Sequence, residues 1–312
     1  EVDFSNACNF KCSYCSPQFS TAWAQEVEDH GAYPTSVPHN DPTHFKGERK
    51  VLPQKDNPYV EAFWRWWPDL YPKLKHFRMT GGEPMMDKNT YKVFEYVIDN
   101  PKQDLHLNVT SNFCPPAPAL GDRYFNMVKT MCDGAMIEHF MQFVSLDAWG
   151  EKAEYIRNGM DFSTVWYNVN RYLTDIQGHN SITFIITINN LSVSSLKTLM
   201  ENILRLREKY STTYQRVWFD TPILRQPTWQ HIGLLDDSFD VYFKEAIDYM
   251  KLHHHSTDMV AFRDFEIAKL QRCYATMKQG IDDKHTNMAN FWRFFRCRSR
   301  TGGLTVSVAW IS

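Results

Sequence analysis

The chain has 312 residues, 43% hydrophobic and 22% charged, too apolar for a disordered chain and long enough for one large domain or two small ones. Its net charge of -2 gives no general electrostatic reason to bind nucleic acid, and no apolar run of about 18 residues marks a membrane span, so neither partner is expected. The odd count of seven cysteines, three of them inside eight residues, and the absence of an opening signal peptide argue against a disulfide framework and for a reducing cytoplasm.

Glu1 runs straight into a strand candidate at 2–5, which leads us to expect that the natural chain begins earlier. The segment CNFKCSYC follows, with Cys8, Cys12 and Cys15. An irregular insert at about 18–71 holds Pro34, Pro38, Pro42, Pro53 and Pro58 and the aromatic run Phe63, Trp64, Trp66 and Trp67. It reads either as a lid or substrate-binding element or as a helix packing its Trp side chains on the exterior. A second strand, 76–80, ends in RMTGGEP, with Gly81, Gly82, Glu83 and Pro84. Further strands rich in Val, Ile, Phe and Thr are expected at 105–111, 142–147, 182–189 and 216–224. Apolar residues spaced by three and four after Asp87, Asp161 and Ser194 predict helices between them, with Asp161 and Ser194 as N-caps.

Alternating strands and helices imply βαβ units and a parallel sheet, either an incomplete barrel or an open doubly wound sheet. Three helices without partner strands are expected at 239–252, 259–278 and about 284–295. The helical pattern stops after Phe295, and the tail CRSRTGGLTVSVAWIS is unlike the charged helical tail expected there. Arg293, Arg296, Arg298 and Arg300 read as a solvated face or tail. His253, His254 and His255 are neighbours that point in different directions on a helix, so they make no shared metal site.

Thiolates are the usual ligands of iron–sulfur clusters, and three of them leave one iron of a four-iron cubane open to a further ligand. A zinc site completed by a His is the alternative, but no second CxxC accompanies the loop. The Gly81–Gly82 pair between a strand and a helix lets backbone approach a ligand closely, and the Glu83 carboxylate is suited to a cationic group.

The cysteine spacing, its place after the first strand, and GGEP after the second resemble the radical S-adenosylmethionine (SAM) superfamily. The resemblance covers about residues 2–224 and is closest to the twitch-domain-containing members of phage and marine-bacterial type, although the Cys-bearing twitch region that precedes their barrel is not seen here. It implies a partial (β/α)6 barrel over 1–224 with a helical extension at 225–312. It further implies a [4Fe–4S] cluster on Cys8, Cys12 and Cys15, with SAM on the open iron. Tyr14 takes the family's aromatic position near the adenine, and Gly81 to Pro84 the segment that binds the SAM amino group. Ser111, Asn112, Ser145 and Asp147 stand at strand ends where the family holds SAM or substrate, and Thr187 and Asn189 are weaker matches. Arg157 resembles an Arg that approaches the SAM carboxylate or ribose, a surface salt bridge being the alternative. The implied reaction is reductive cleavage of SAM to a 5′-deoxyadenosyl radical that takes hydrogen from a substrate. A peptide or protein is the first substrate class, and a small molecule or nucleotide precursor the second. A reductant such as flavodoxin or ferredoxin is the implied partner. The competing class is a non-catalytic protein that uses the Cys loop as a structural metal site. Cys114, Cys132, Cys273 and Cys297 contain no close pair, so one cluster and about four irons are expected.

Overall fold

The computed structural model describes residues 1–37, 39 and 57–300. Pro38, Pro42, Pro53 and the tail beyond Arg300 lie outside them. In chain order the strands are β1 (Val2–Asp3), β2 (Lys11–Cys12), β3 (His76–Thr80), β4 (Lys102–Ser111), β5 (Ile137–Ser145), β6 (Arg157–Asn158), β7 (Asn180–Ile185) and β8 (Val217–Asp220). The helices are α1 (Thr21–His30), α2 (Pro58–Leu70), α3 (Lys88–Asp99), α4 (Pro118–Asp133), α5 (Glu151–Ile156), α6 (Phe162–Asp175), α7 (Leu196–Tyr210), α8 (Asp240–Leu252), α9 (Asp264–Gln279) and α10 (Lys284–Arg300).

Six strands form one parallel sheet in the order β1-β3-β4-β5-β7-β8, so this is an α/β fold. Each strand lies beside its predecessor in that sheet, without the reversal that defines a doubly wound fold. The two faces differ. Phe77, Met79, Leu107, Val109, Phe140, Val144, Ile182, Phe184 and Val217 are buried against the helices. The alternate residues include His76, Arg78, His106, Asn108, Thr110 and His139, none fully buried. A parallel sheet covered on both faces reads as continuous apolar runs, and this one does not.

Helices α2, α3, α4 and α6 meet the apolar face through rings. Trp67 packs on Phe77 at 5.0 Å, Phe94 on Phe140 at 6.0 Å and Trp166 on Phe184 at 6.3 Å, while Tyr124 Oη donates to Gln142 Oε1 at 2.6 Å. Within the insert, Trp67 is thus a packing residue on the exterior of the sheet. Asp161 caps α6 by accepting from Thr164 N at 2.8 Å. Ser194 caps nothing: a 3-10 turn at Val193–Ser195 precedes α7, and the Ser194 hydroxyl accepts from Lys152 Nζ at 2.7 Å.

Helices α8 and α9 cover the β8 side, while α10 packs its Phe291, Phe294 and Phe295 with Trp23 and Val27 of α1 and with Tyr155. Arg207 on α7 and Glu266 on α9 form an ion pair at 2.5 Å with both side chains fully buried, and Arg207 Nε also donates to Val217 O in β8 at 2.9 Å. Helix α10 runs past Phe295 to Arg300. The solvated-face reading fails for Arg298, which is 4% exposed and donates to Lys11 O at 3.3 Å and Tyr155 O at 2.9 Å. No helix among the described residues is long and apolar enough to cross a membrane.

Candidate active site

The end of β1 leads into the three-cysteine loop, which is fixed from several sides. Strand β2 pairs antiparallel with β6, placing Cys12 opposite Arg157, and Ser13 N donates to Ile156 O at 2.7 Å. Trp23 Nε1 on α1 donates to Cys12 O at 2.8 Å, and Ser20, the N-cap of α1, donates to Phe10 O at 2.6 Å. Ser13 Oγ donates to Gln230 Oε1 at 2.7 Å, and Gln230 Nε2 returns a bond to Ser13 O at 2.8 Å.

The GGEP segment docks on the same loop. Gly82 N donates to Ser5 O at 3.0 Å and Glu83 N to Ala7 O at 2.7 Å. A Cβ on residue 82 would lie 2.3 Å from Ala7 O, so only glycine permits this approach. Gly81 has φ +118°, a conformation that side-chain-bearing residues rarely adopt.

A cavity of about 240 Å³ opens where these segments meet. Cys8, Cys12, Cys15, Tyr14, Gly81, Gly82, Ser111, Asn112, Ser145 and Arg157 all line it, as do Thr187, Thr110, Phe10 and Phe19. It sits at the C-terminal ends of β3, β4, β5 and β7, where parallel α/β sheets carry their ligands. Glu83, Pro84 and Asp147 are buried outside its lining.

Burial, and then the neighbouring Cys12, push the Cys8 thiol up to about 12. Cys15 is raised by the same two causes, and Cys12 by burial against the pull of Arg157. These thiols are poor nucleophiles by themselves and gain thiolate character only beside added positive charge. The three thiols line one wall of the cavity together. No group of three or more His, Cys, Asp or Glu among the described residues is placed to hold a single metal ion.

Arg157 is buried, not a surface residue. Its Nη2 donates to Asp147 Oδ1 at 3.0 Å and to Tyr14 Oη at 2.6 Å, its Nε lies 2.9 Å from Asp147 Oδ2, and its Nη1 is 3.7 Å from Cys12 Sγ. Tyr14 Oη in turn donates to Asp147 Oδ2 at 2.7 Å. Burial opposes the Arg157 charge, but Asp147, Tyr14 and Cys12 outweigh it and hold the guanidinium firmly protonated. Asp147 is fully buried and also accepts from Thr187 N at 3.0 Å.

The Glu83 carboxylate does not face the cavity. It accepts from Met85 N at 2.9 Å, Ser111 Oγ at 2.7 Å and Asn112 N at 2.7 Å, clamping the turn after β3 to the end of β4. Burial raises its pKa and these three bonds oppose the rise. Asn112 spends its amide on Asn9 Oδ1 at 2.8 Å and Cys114 N at 2.9 Å. Asn189 closes its own turn through Thr187 O and Leu191 N. Ser145 differs: its hydroxyl has no hydrogen-bond partner among the described residues and borders the cavity. Phe113, just past these residues, has φ +61° without being glycine, held by Ser111 Oγ on its N–H and Asn168 on its carbonyl.

Sequence reasoning did not find Trp23, Gln230 and Arg298 as supports of the loop. Trp23 acts through one hydrogen bond and Gln230 and Arg298 through two each, single contacts that leave no periodic signal. No family model matches the chain, and no curated protein matches it.

Proposed function

We propose that this chain is a radical SAM enzyme of the reducing cytoplasm, built on a partial (β/α)6 barrel with a C-terminal helical extension. One observation carries the reading: the three-cysteine loop and the GGEP segment, far apart in sequence, dock on each other at one cavity at the C-terminal strand ends. The consecutive order of the six parallel strands supports the barrel.

Cys8, Cys12 and Cys15 are the residues that would hold a [4Fe–4S] cluster. A bound cluster of this kind, with SAM on its open iron, supplies reductive cleavage of SAM to a 5′-deoxyadenosyl radical. The chain's own groups position and shield. Arg157 offsets the charge of Asp147 and would offset that of Cys12 as a metal-bound thiolate. Gly81 and Gly82 offer bare backbone at the wall, and Ser145 offers an unspent hydroxyl suited to a ribose. Tyr14, tied to Asp147 and Arg157, closes one side. Glu83 acts from behind the wall by fixing the turn. A peptide or protein is the first substrate class and a small molecule or nucleotide precursor the second, with flavodoxin or ferredoxin as electron donor.

The test is anaerobic reconstitution, reduction in the presence of SAM, and chromatography for 5′-deoxyadenosine. The native chain is expected to bind about four irons, the content of one cluster, and to release 5′-deoxyadenosine. The variant with Cys8, Cys12 and Cys15 all changed to Ala is expected to lose the cluster absorbance. Full absorbance in that variant, or a filled cluster with no 5′-deoxyadenosine, would overturn the reading. Cys114, Cys132 and Cys273 are 7%, 4% and 1% exposed and behave as core residues, so content near eight irons is not expected.

A further inference from the structure

A second cavity, of about 600 Å³, opens at the C-terminal end of β8, between the segment that follows this strand and one face of α9. Its charge is lopsided. Arg225, Lys269 and Arg272 line it against a single carboxylate, Asp220. That carboxylate is already engaged, because Asp220 Oδ1 accepts from Lys269 Nζ at 2.7 Å and from Thr221 N at 2.9 Å. Neither Arg225 nor Arg272 has an ion-pair or hydrogen-bond partner for its guanidinium among the described residues, and both are exposed.

Two further groups on the wall are donors. Thr221 is 6% exposed, lines the cleft, and its Oγ1 has no hydrogen-bond partner among the described residues. A buried hydroxyl left unpaired costs stability, which an acceptor reaching it from the cleft would relieve. His231 accepts from Gly233 N through Nδ1 at 3.0 Å, which leaves Nε2–H as the donor of the neutral ring. Burial lowers its pKa and so favours that neutral form.

We propose that this cleft binds the phosphoryl group of a small phosphorylated molecule. Two guanidiniums, an imidazole N–H and a hydroxyl are a donor set matched to an anion with three acceptor oxygens. The cavity is larger than a bare phosphate fills and lies in the range of small-molecule sites, which leaves room for an organic body behind the anion. As an anchor for the substrate of the reaction proposed above, the cleft rests on that reading; as a binding site it needs neither iron nor SAM.

Calorimetric titration of the full chain, without cluster or SAM, tests it with ribose 5-phosphate, inorganic phosphate and acetate as separate probes. Saturable one-to-one binding of ribose 5-phosphate is expected, tighter than inorganic phosphate and far tighter than acetate. The Arg225→Gln/Arg272→Gln double variant is expected to weaken it by about tenfold or more, the order of a single lost charge-assisted bond. Thr221→Val is expected to weaken it with an unchanged circular dichroism spectrum. No saturable binding, equal binding of acetate, tighter binding of the free ion than of the ester, or affinity unmoved by the double variant would each overturn the proposal. Failure here would leave the 5′-deoxyadenosine assay standing, and failure of that assay would leave this titration standing.

Discussion

Cys12 and Arg157 face each other across a two-residue antiparallel ribbon, and Arg157 Nη1 points at the Cys12 sulfur across 3.7 Å. The same guanidinium holds Asp147 and Tyr14. One buried cation therefore joins the cysteine loop, the end of β5 and the segment after α5.

Removing that cation is expected to be costly. Arg157→Ala would leave the fully buried Asp147 carboxylate without its partner, and breaking a buried pair from one side costs about 3–5 kcal/mol. Urea denaturation should show a lower midpoint for Arg157→Ala, with part of the loss restored when Asp147→Asn is added. Equal midpoints for native and variant would show that this ion pair does not support the fold.

Gly82→Ala sets a methyl group 2.3 Å from the Ala7 carbonyl, and the contact is with backbone that no rotamer change relieves. The docking of the GGEP turn on the cysteine loop must open. We expect native-like circular dichroism but reduced iron content after reconstitution. Full iron content in this variant would show that the close approach is not needed.

Glu83 is expected to act through stability as well as ligand affinity. Glu83→Ala removes the acceptor for three donors in a buried turn, each stranded donor costing about 1–3 kcal/mol. Thermal melting of the protein without cluster should show a clear drop for Ala and a smaller one for Gln, which keeps one acceptor oxygen. An unchanged melting temperature for Glu83→Ala, with weaker SAM binding, would instead place the carboxylate on the ligand.

His139 gives the pH dependence a direction. Burial, then His179 and His106, push its pKa down to about 4, whereas an unfolded His titrates near 6.5. Between those values the unfolded chain binds the proton better, so this residue's contribution is complete above about pH 6.5 and falls as pH drops toward 4. Melting temperatures from about pH 7.5 to about pH 5, on either side of the usual His value, should fall less steeply in His139→Gln than in the native chain. Parallel slopes would count against the shift.

The strands of the sheet were legible because they are short Val-, Ile- and Phe-rich runs with turns between them. The expected 105–111 corresponds to β4, which begins earlier at Lys102, and the expected 216–224 shrinks to Val217–Asp220. The overlong expectations fall where residues leave the ladder to build the site or a single bridge, as at Ile188 and Ile223. The cysteine loop and the glycine pair were legible as motifs. Arg157 was picked out as a site residue but not its pairing with Cys12 across 145 positions, and Gln230, which meets Ser13 across 217, was not picked out at all. Such pairings depend on where the fold brings the chain, and neither spacing nor composition encodes them locally. Glu83 was legible as a residue of interest, but not its direction, which three donors from two separate segments decide.

The bond from Arg298 to Lys11 O spans 287 positions. During synthesis the thiols of residues 8, 12 and 15 leave the ribosome long before Arg157, Gln230 and Arg298 exist to surround them. The loop therefore lacks these supports until late in synthesis, and α10 is the last of them to be made. Enclosure of the loop is thus set by the far end of the chain, not by the residues around the loop itself.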